Sequence, residues 1–314
     1  MRRVTSVEGL LAAPDIGSLA LVLNTSAGLL AAGSRFAGVE SRLEGARIER
    51  VRTGLDATGL ASRAVQDGAR TVVAAGGDGT VRAVAQAVAG TQATLGIIPA
   101  GTLNHLAREL RIPLALNDAV SVIRTGRVRQ IDAGEVNGRL FVNNAVLGLY
   151  TAYRAERTGE ERRGSPRVVA TAAAALRILS RNPVLRFRIL LDGGRELLRY
   201  SPLVLVANNE NRMEGHELGV RDRLDAGRLW IYVLRPRTRA GLLATGLRVV
   251  AGRLRKRRAF EVFAAAEAVI ETGRTRIPLA LDGELMELDS PLHFRSRPRA
   301  LRVIVPRGGA GRSS

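Results

Sequence analysis

A glycine-rich loop constrains this chain more than any other feature, because it joins an apolar run, 71–75, to a helix-like stretch, 81–88. The loop consists of Gly76, Gly77, Asp78, Gly79 and Thr80. Glycines let backbone N–H groups approach a phosphate without a Cβ in the way, and a helix start adds unpaired donors and a favourable dipole. Asp78 would repel phosphates unless a divalent cation lay between them. The loop therefore predicts a nucleotide with Mg2+, and the competing interpretation is a structural strand-to-helix corner.

Two further strand-like runs lead into loops of small and polar residues. These residues are Asn24, Ser26 and Gly28 after the run 19–23, and Gly101, Thr102 and Asn104 after the run 94–98. The spacing between 71–75 and 94–98 fits one strand–helix–strand unit. In an open parallel sheet, loops at the carboxyl ends of neighbouring strands converge on one crevice. We therefore expect the three loops to form the walls of one nucleotide site.

A third motif, Asp282-Gly283-Glu284, carries two carboxylates near the C-terminus. A kinase that acts on an alcohol needs a carboxylate to accept or orient the hydroxyl proton as the phosphoryl group arrives. In an extended chain, Asp282 and Glu284 would point to the same side. The same sequence is typical of a tight hairpin, and Asp192-Gly193 offers a second turn of this kind. Both interpretations stay open from the residues alone.

Together these residues resemble the diacylglycerol kinase catalytic-domain family, which includes bacterial lipid kinases, sphingosine kinases and ceramide kinases. The resemblance implies an α/β nucleotide-binding domain like that of NAD kinases and phosphofructokinases, and a mainly antiparallel, β-sandwich-like second domain for the lipid. It also implies ATP and Mg2+ as cofactors. By the same resemblance, Thr53 belongs to the nucleotide site, Asp282 is the proton acceptor and Glu284 lies near the metal.

Two positions depart from the family pattern. His105 stands where many members have an aspartate, which in the sphingosine kinases helps to hold the lipid headgroup. His105 is therefore a candidate substrate contact, and the acceptor is expected to differ from the commonest ones. Ala226 stands at the place of an aspartate from a structural Mg2+ site, and Asp225 is the candidate that would replace it through a shifted loop.

The apolar periodicity changes once along the chain. Short apolar runs that alternate with helical stretches predict a parallel α/β domain at 17–132. Strands joined by short turns then predict a mainly antiparallel domain at 133–294. The family plan implies that the last strand, within 295–306, returns to the first domain. The ends, 1–16 and 307–314, are expected to be flexible.

The composition excludes several classes of function. Without cysteine the chain has no disulfide, thiolate metal site or cysteine nucleophile, and its three histidines argue against a multi-histidine zinc centre. A net charge of +19 and a pI near 11.6 attract polyanions such as nucleotides or anionic lipid. Aromatic residues make up only 4% of the chain, so base-stacking surfaces are poorly supplied. We therefore expect no nucleic-acid partner.

A basic stretch at 237–258 mixes apolar residues with a dense cationic end. It predicts a helix at an anionic membrane surface, and the alternative is a solvated helix whose basic end suits its dipole. The sequence shows neither the pattern of a secretory signal nor a bilayer-spanning apolar run. We expect a cytoplasmic, peripherally membrane-associated protein, with a homodimer as a further option.

These observations predict an ATP-dependent lipid kinase that phosphorylates a hydroxyl of a diacylglycerol-like or sphingoid lipid. The enzymatic alternative is an NAD kinase, which shares the GGDGT loop and uses a soluble acceptor. The non-enzymatic alternative is a protein that binds nucleotide or lipid on the same scaffold without turnover.

Overall fold

The computed structural model describes residues 10–11, 18–26, 39–43, 45–52, 54–151, 184–214, 217–236, 238–250 and 259–307. The chain divides into two compact units. The first contains the described residues up to Ala133 and from Arg299 onward, and the second is Gly134–Pro298.

The first unit alternates strands with helices. Its elements are β1 (Leu10–Leu11), β2 (Leu19–Asn24), β3 (Arg47–Val51), α1 (Gly54–Gln66), β4 (Thr71–Gly76), α2 (Asp78–Val88), β5 (Thr94–Pro99), α3 (His105–Glu109), α4 (Leu116–Thr125) and the first part of β6 (Arg127–Val136). The short strand β1 lies inside the expected flexible end and pairs antiparallel with β6.

The second unit is built mainly from strands. Its elements are β7 (Arg139–Phe141), β8 (Asn144–Gly148), β9 (Leu185–Leu191), β10 (Arg195–Ser201), β11 (Leu203–Asn208), β12 (Asn211–Glu214), β13 (Glu217–Arg221), β14 (Leu229–Leu234), α5 (Arg239–Val250), β15 (Phe260–Ala265), β16 (Glu267–Glu271), β17 (Arg276–Leu281), β18 (Glu284–Asp289) and the first part of β19 (Leu292–Val305).

The sheet of the first unit is parallel, with the strand order β19–β5–β4–β2–β3. β4 and β5 are buried over their whole length, which is typical of parallel strands covered on both faces. Arg302 and Val303 of β19 pair with Thr94 and Leu95 of β5. Because these strands run the same way, the loops after β2, β4 and β5 meet at one edge of the sheet.

Helix α2 holds the glycine-rich loop against this sheet. Its buried residues include Val81, Val84, Ala85 and Val88, the spacing of one apolar helix face. The helix begins immediately after Gly77, so the loop is fixed between a buried strand and a packed helix.

The second unit is a sandwich of two antiparallel sheets, as expected from the sequence. One has the order β10–β9–β16–β19 and the other β15–β14–β11–β8–β17–β18. Phe187 and Phe294 from the first sheet share a core with Val206 and Leu279 from the second. Phe141 adds an edge-on contact to Phe294, with ring centroids 6.3 Å apart.

Helix α5 covers the first half of the basic stretch, and residues 237 and 251–258 lie outside the described part of the chain. None of the described helices has the length and hydropathy needed to cross a bilayer.

Candidate active site

The two glycine loops of the first unit meet backbone to backbone. A Cβ placed on Gly101 would lie 2.5 Å from the Cα of Gly77, a separation that real Cβ atoms do not reach. The Ala100 N–H also donates to the Gly76 carbonyl at 2.9 Å, which continues the pairing of β4 with β5 into the loops. Glycine is therefore required at this junction for steric reasons. The junction brings the start of α2, whose N-cap residue Gly77 has no side chain to cap it, next to the loop after β5.

Asp78 links these loops by a second contact. Its Oδ1 accepts a 2.8 Å hydrogen bond from the backbone N–H of His105, at the start of α3. Asn104, which precedes α3, has the left-handed φ of 49° and is buried. Its side chain donates to the Gly101 carbonyl and accepts from the Gly101 N–H, at 2.8 and 3.0 Å. Asn104 thus closes its own loop, whereas Thr102 and the His105 side chain are exposed.

Asn24 connects the third loop to the same place. Its Nδ2 donates to Thr80 Oγ1 at 2.9 Å, and its Oδ1 accepts from the Ser26 N–H at 2.9 Å. Thr80 is almost completely buried. The loops after β2, β4 and β5 are therefore joined by side-chain hydrogen bonds, as the parallel-sheet argument predicted.

Asp282 lies in the second unit, at the turn between β17 and β18. Asp282 and Gly283 have positive φ values of 48° and 86°, as a two-residue type I′ hairpin requires. The hairpin interpretation is therefore confirmed. The expectation that Asp282 and Glu284 point to one side assumed extended backbone, and that condition is not met because Asp282 and Gly283 have left-handed φ values.

The Asp282 carboxylate is held by the segment that leads into β8. Its Oδ2 accepts from the Val142 N–H at 2.8 Å, and its Oδ1 accepts from the Asn143 and Asn144 N–H groups at 2.8 and 3.0 Å. Asp192, in the β9–β10 turn, behaves similarly, since its Oδ1 accepts from Ala266 and Glu267 N–H groups. Both Asp-Gly turns thus fix a carboxylate on a neighbouring backbone segment.

The sandwich also contains a largely apolar cavity of about 480 Å3. Leu147, Phe187 and Ile277 are among the apolar residues that line it, and Leu285 and Met286 of β18 lie at its wall. The polar side chains in its lining are Thr151, Thr272, Arg274 and Glu287. A cavity of this size and character suits an apolar chain with a polar end.

Two family models match the chain in succession. The diacylglycerol kinase catalytic domain matches residues 18–136, and the YegS C-terminal NAD kinase beta sandwich-like domain matches residues 149–305. The chain belongs to the diacylglycerol kinase catalytic-domain family. This membership confirms the resemblance recognised from the motifs and makes the protein an enzyme of the kinase class.

Family relatives cover most of the chain. "Probable lipid kinase YegS-like" of Pseudomonas savastanoi pv. phaseolicola is 34% identical over 80% of this chain and 81% of the relative. A "Diacylglycerol kinase" of Staphylococcus saprophyticus is 31% identical over 57% of this chain and 59% of the relative. A solved diacylglycerol kinase structure from Bacillus anthracis superposes with a TM-score of 0.65 at 19% identity, covering 92% of this chain and 97% of that one. The last similarity concerns the fold.

Asp225, the candidate ligand of a second metal ion, is paired with an arginine side chain. Asp225 forms an ion pair with Arg223 at 3.3 Å, and the Ala226 N–H donates to Asn209 Oδ1. Among the described residues, no group of three or more metal-binding side chains comes together. The surroundings of Asp225 therefore add no support for a metal ion at this residue.

The structure brings together most of the predicted nucleotide residues of this family member. Asn24, Ser26, the GGDGT loop, Gly101 and Asn104 belong to one hydrogen-bonded group of loops. Gly28 and Thr53 lie outside the described residues. Glu284 is half-buried as the first residue of β18.

Sequence reasoning missed the residues that hold Asp282. Val142, Asn143 and Asn144 lie in a run, 140–144, whose sequence indicates only a strand. The run carries no motif, so its role appears only when distant segments are brought together.

Proposed function

We propose that this kinase uses ATP and Mg2+ to phosphorylate a hydroxyl of a diacylglycerol-like or sphingoid lipid. The observation that carries the proposal is the glycine junction of Gly77 with Gly101, closed by the hydrogen bond from His105 to Asp78. The junction places glycine backbone beside the start of α2, and the N-terminus of a helix suits the phosphates of a nucleotide.

The first unit is proposed to bind the nucleotide. Backbone N–H groups of the GGDGT loop would hold phosphates, Asn24 and Asn104 would keep the loops in place, and Thr102 would contact the nucleotide directly. Gly28 and Thr53 are assigned to this site by resemblance alone.

Asp78 fits a Mg2+ site of the kind found in kinases, where one or two carboxylates hold the ion together with nucleotide phosphates and water. Its Oδ1 is used by His105, so Oδ2 is the proposed ligand atom. The bound ion would neutralise phosphate charge.

Asp282 is proposed to take the proton of the acceptor. The hydroxyl oxygen forms a bond to the γ-phosphorus, the bond from that phosphorus to the bridging oxygen breaks, and ADP leaves. The hydroxyl proton passes to Asp282, whose carboxylate is held in one orientation by three backbone N–H groups. General-base help of this kind contributes roughly 10²- to 10⁴-fold to the rate.

The second unit is proposed to bind the lipid. The apolar cavity lined by Leu147 and Phe187 supports this assignment, because an acyl or alkyl chain gains free energy by leaving water. Peripheral attachment to anionic membrane is supported by the net charge and by α5, where Arg239 and Leu243 are both exposed. A homodimer stays a prediction.

The test is transfer of labelled γ-phosphate from ATP to a panel of lipids in mixed micelles, with NAD as a soluble acceptor in parallel. Labelled lipid supports the proposal and identifies the acceptor class. Labelled NADP, or tight ATP binding without any product from the whole panel, contradicts it.

A further inference from the structure

A buried arginine also contacts the segment that holds Asp282. Arg221, the last residue of β13, is only 7% exposed. Its Nη1 donates to the carbonyl oxygens of Val142 and Asn208, and its Nη2 donates to Asn143 Oδ1 at 2.8 Å. The Asn208 side chain adds a further bond to the Val142 carbonyl at 3.0 Å. The guanidinium therefore binds the Val142 carbonyl and the Asn143 side chain of the segment whose N–H groups hold Asp282.

One peptide group connects the two charged side chains. The peptide between Val142 and Asn143 places its carbonyl on Arg221 and its N–H on Asp282 Oδ1. A cation at the carbonyl end and an anion at the N–H end both stabilise the peptide dipole, and charge-assisted bonds are stronger than neutral ones. Burial strengthens the coupling further, since Val142 is 3% exposed.

The hairpin that carries Arg221 is itself fixed. Asn211 pairs with Arg221 across the β12–β13 hairpin. The Asn211 N–H donates to the Tyr232 hydroxyl at 2.9 Å, and that hydroxyl donates to the Asn211 carbonyl at 3.2 Å. Burial raises the pKa of Tyr232, so this hydroxyl stays neutral at ordinary pH. The guanidinium is thus held on a rigid support.

We infer that Arg221 is a positioning residue, which fixes the Asp282 carboxylate through the peptide between Val142 and Asn143. The inference rests on the proposed function, since it assigns Asp282 a proton to accept. Arg221 touches neither substrate nor nucleotide in this account. Its effect reaches the reaction only by way of Asp282.

The test is a double-variant cycle on the full-length protein, with Arg221→Lys, Arg221→Met, Asp282→Asn and the combined variants. Lysine keeps the charge but cannot serve three acceptors in one plane, so we expect kcat to fall by roughly 10- to 100-fold, the scale that misplacing a reacting group costs. Methionine should lower kcat more. The KM for ATP should stay unchanged. In the Asp282→Asn background, the Arg221 changes should lower kcat no further, because the group they position is gone.

The matched control is Arg212→Met, on the same hairpin. Arg212 is exposed and pairs with Asp222, so its loss should leave kcat unchanged. Multiplicative losses of kcat in the cycle, or a wild-type kcat for Arg221→Lys, would overturn the inference while leaving the lipid kinase proposal intact.

A second readout does not depend on activity. The same variants are compared by equilibrium unfolding, and by amide hydrogen exchange at Val142, Asn143 and Asn144. Non-additive unfolding free energies, with faster exchange at these amides in Arg221→Lys, support the coupling even if no lipid is phosphorylated. Additive free energies with unchanged exchange contradict it. An inactive wild type would contradict the proposed function separately.

Discussion

Asp78 and His105 join two loops of the first unit, because Asp78 Oδ1 accepts a 2.8 Å hydrogen bond from the His105 backbone N–H. Asp78 therefore has a structural task beside the metal-supporting role that we propose. The two tasks are separable, since an asparagine keeps the acceptor oxygen and loses the negative charge.

Asp78→Asn should leave the free energy of unfolding within about 0.5 kcal/mol of the wild type, because the hydrogen bond survives. Its kcat should fall by roughly 10²-fold or more, and half-maximal activation should need more Mg2+, because the cation loses a charged ligand. Asp78→Ala should lose the hydrogen bond as well, at about 1–3 kcal/mol. Denaturant unfolding and Mg2+ titration of the initial rate measure the two effects. Wild-type Mg2+ activation in Asp78→Asn would argue against the metal role.

Gly101→Ala should damage the nucleotide site directly. The added Cβ would lie 2.5 Å from the Gly77 Cα, so backbone must move apart at the loop junction. We expect a loss of about 1–3 kcal/mol in stability, typical of overpacking, and at least tenfold weaker ATP binding by calorimetry. The matched control is Gly59→Ala in α1, where a Cβ meets nothing within 4 Å. That change should stabilise the protein by about 0.5–1 kcal/mol through helix propensity. Equal ATP affinities in both variants would contradict the close junction.

Leu285→Asp should weaken the lipid acceptor without affecting ATP. Leu285 lines the apolar cavity and is 42% exposed, so a charge there should be tolerated by the fold but not by an apolar chain. We expect KM for a long-chain acceptor to rise roughly tenfold or more, equivalent to about 1.4 kcal/mol, with a smaller effect on a short-chain analogue. Leu198→Asp is the control, since Leu198 is 45% exposed and lies on β10 outside the cavity. The same KM for every chain length in both variants would exclude the cavity as the chain site.

The parts of the site that depend on local sequence were predictable. A buried parallel strand followed by glycines and a helix leaves few alternatives, so the meeting of the GGDGT loop with the loops of Asn24 and Gly101 was predictable, while their nucleotide role stays a proposal. The Asp-Gly turns at Asp192 and Asp282 were also predictable from local sequence, because positive φ is accessible to aspartate and glycine.

Contacts between distant segments were not predictable. Asp282 binds backbone about 140 positions earlier in the chain, and Arg221 binds the same segment from 79 positions away. No periodicity or spacing carries such a pairing. The extended-chain expectation for Asp282 and Glu284 did not apply, because Asp282 and Gly283 form a two-residue turn with positive φ values. The domain limits 17–132 with 295–306 and 133–294 stay a prediction beside the two units found here.

The most direct test of the central claim compares Asp282→Asn with Asp192→Asn in single-turnover lipid phosphorylation. Both aspartates lie in Asp-Gly turns and accept backbone N–H bonds. Asp282 accepts through both oxygens, so Asp282→Asn loses one acceptor and should cost about 1–3 kcal/mol. Asp192 accepts through Oδ1 alone, so Asp192→Asn keeps its acceptor and should cost about 0.5 kcal/mol or less. If Asp282 takes the hydroxyl proton, its variant should lose roughly 10²- to 10⁴-fold in rate. Asp192→Asn should stay within about twofold of the wild type. Equal rates for the two variants would contradict the account, because Asp282 would then be a turn residue and nothing more.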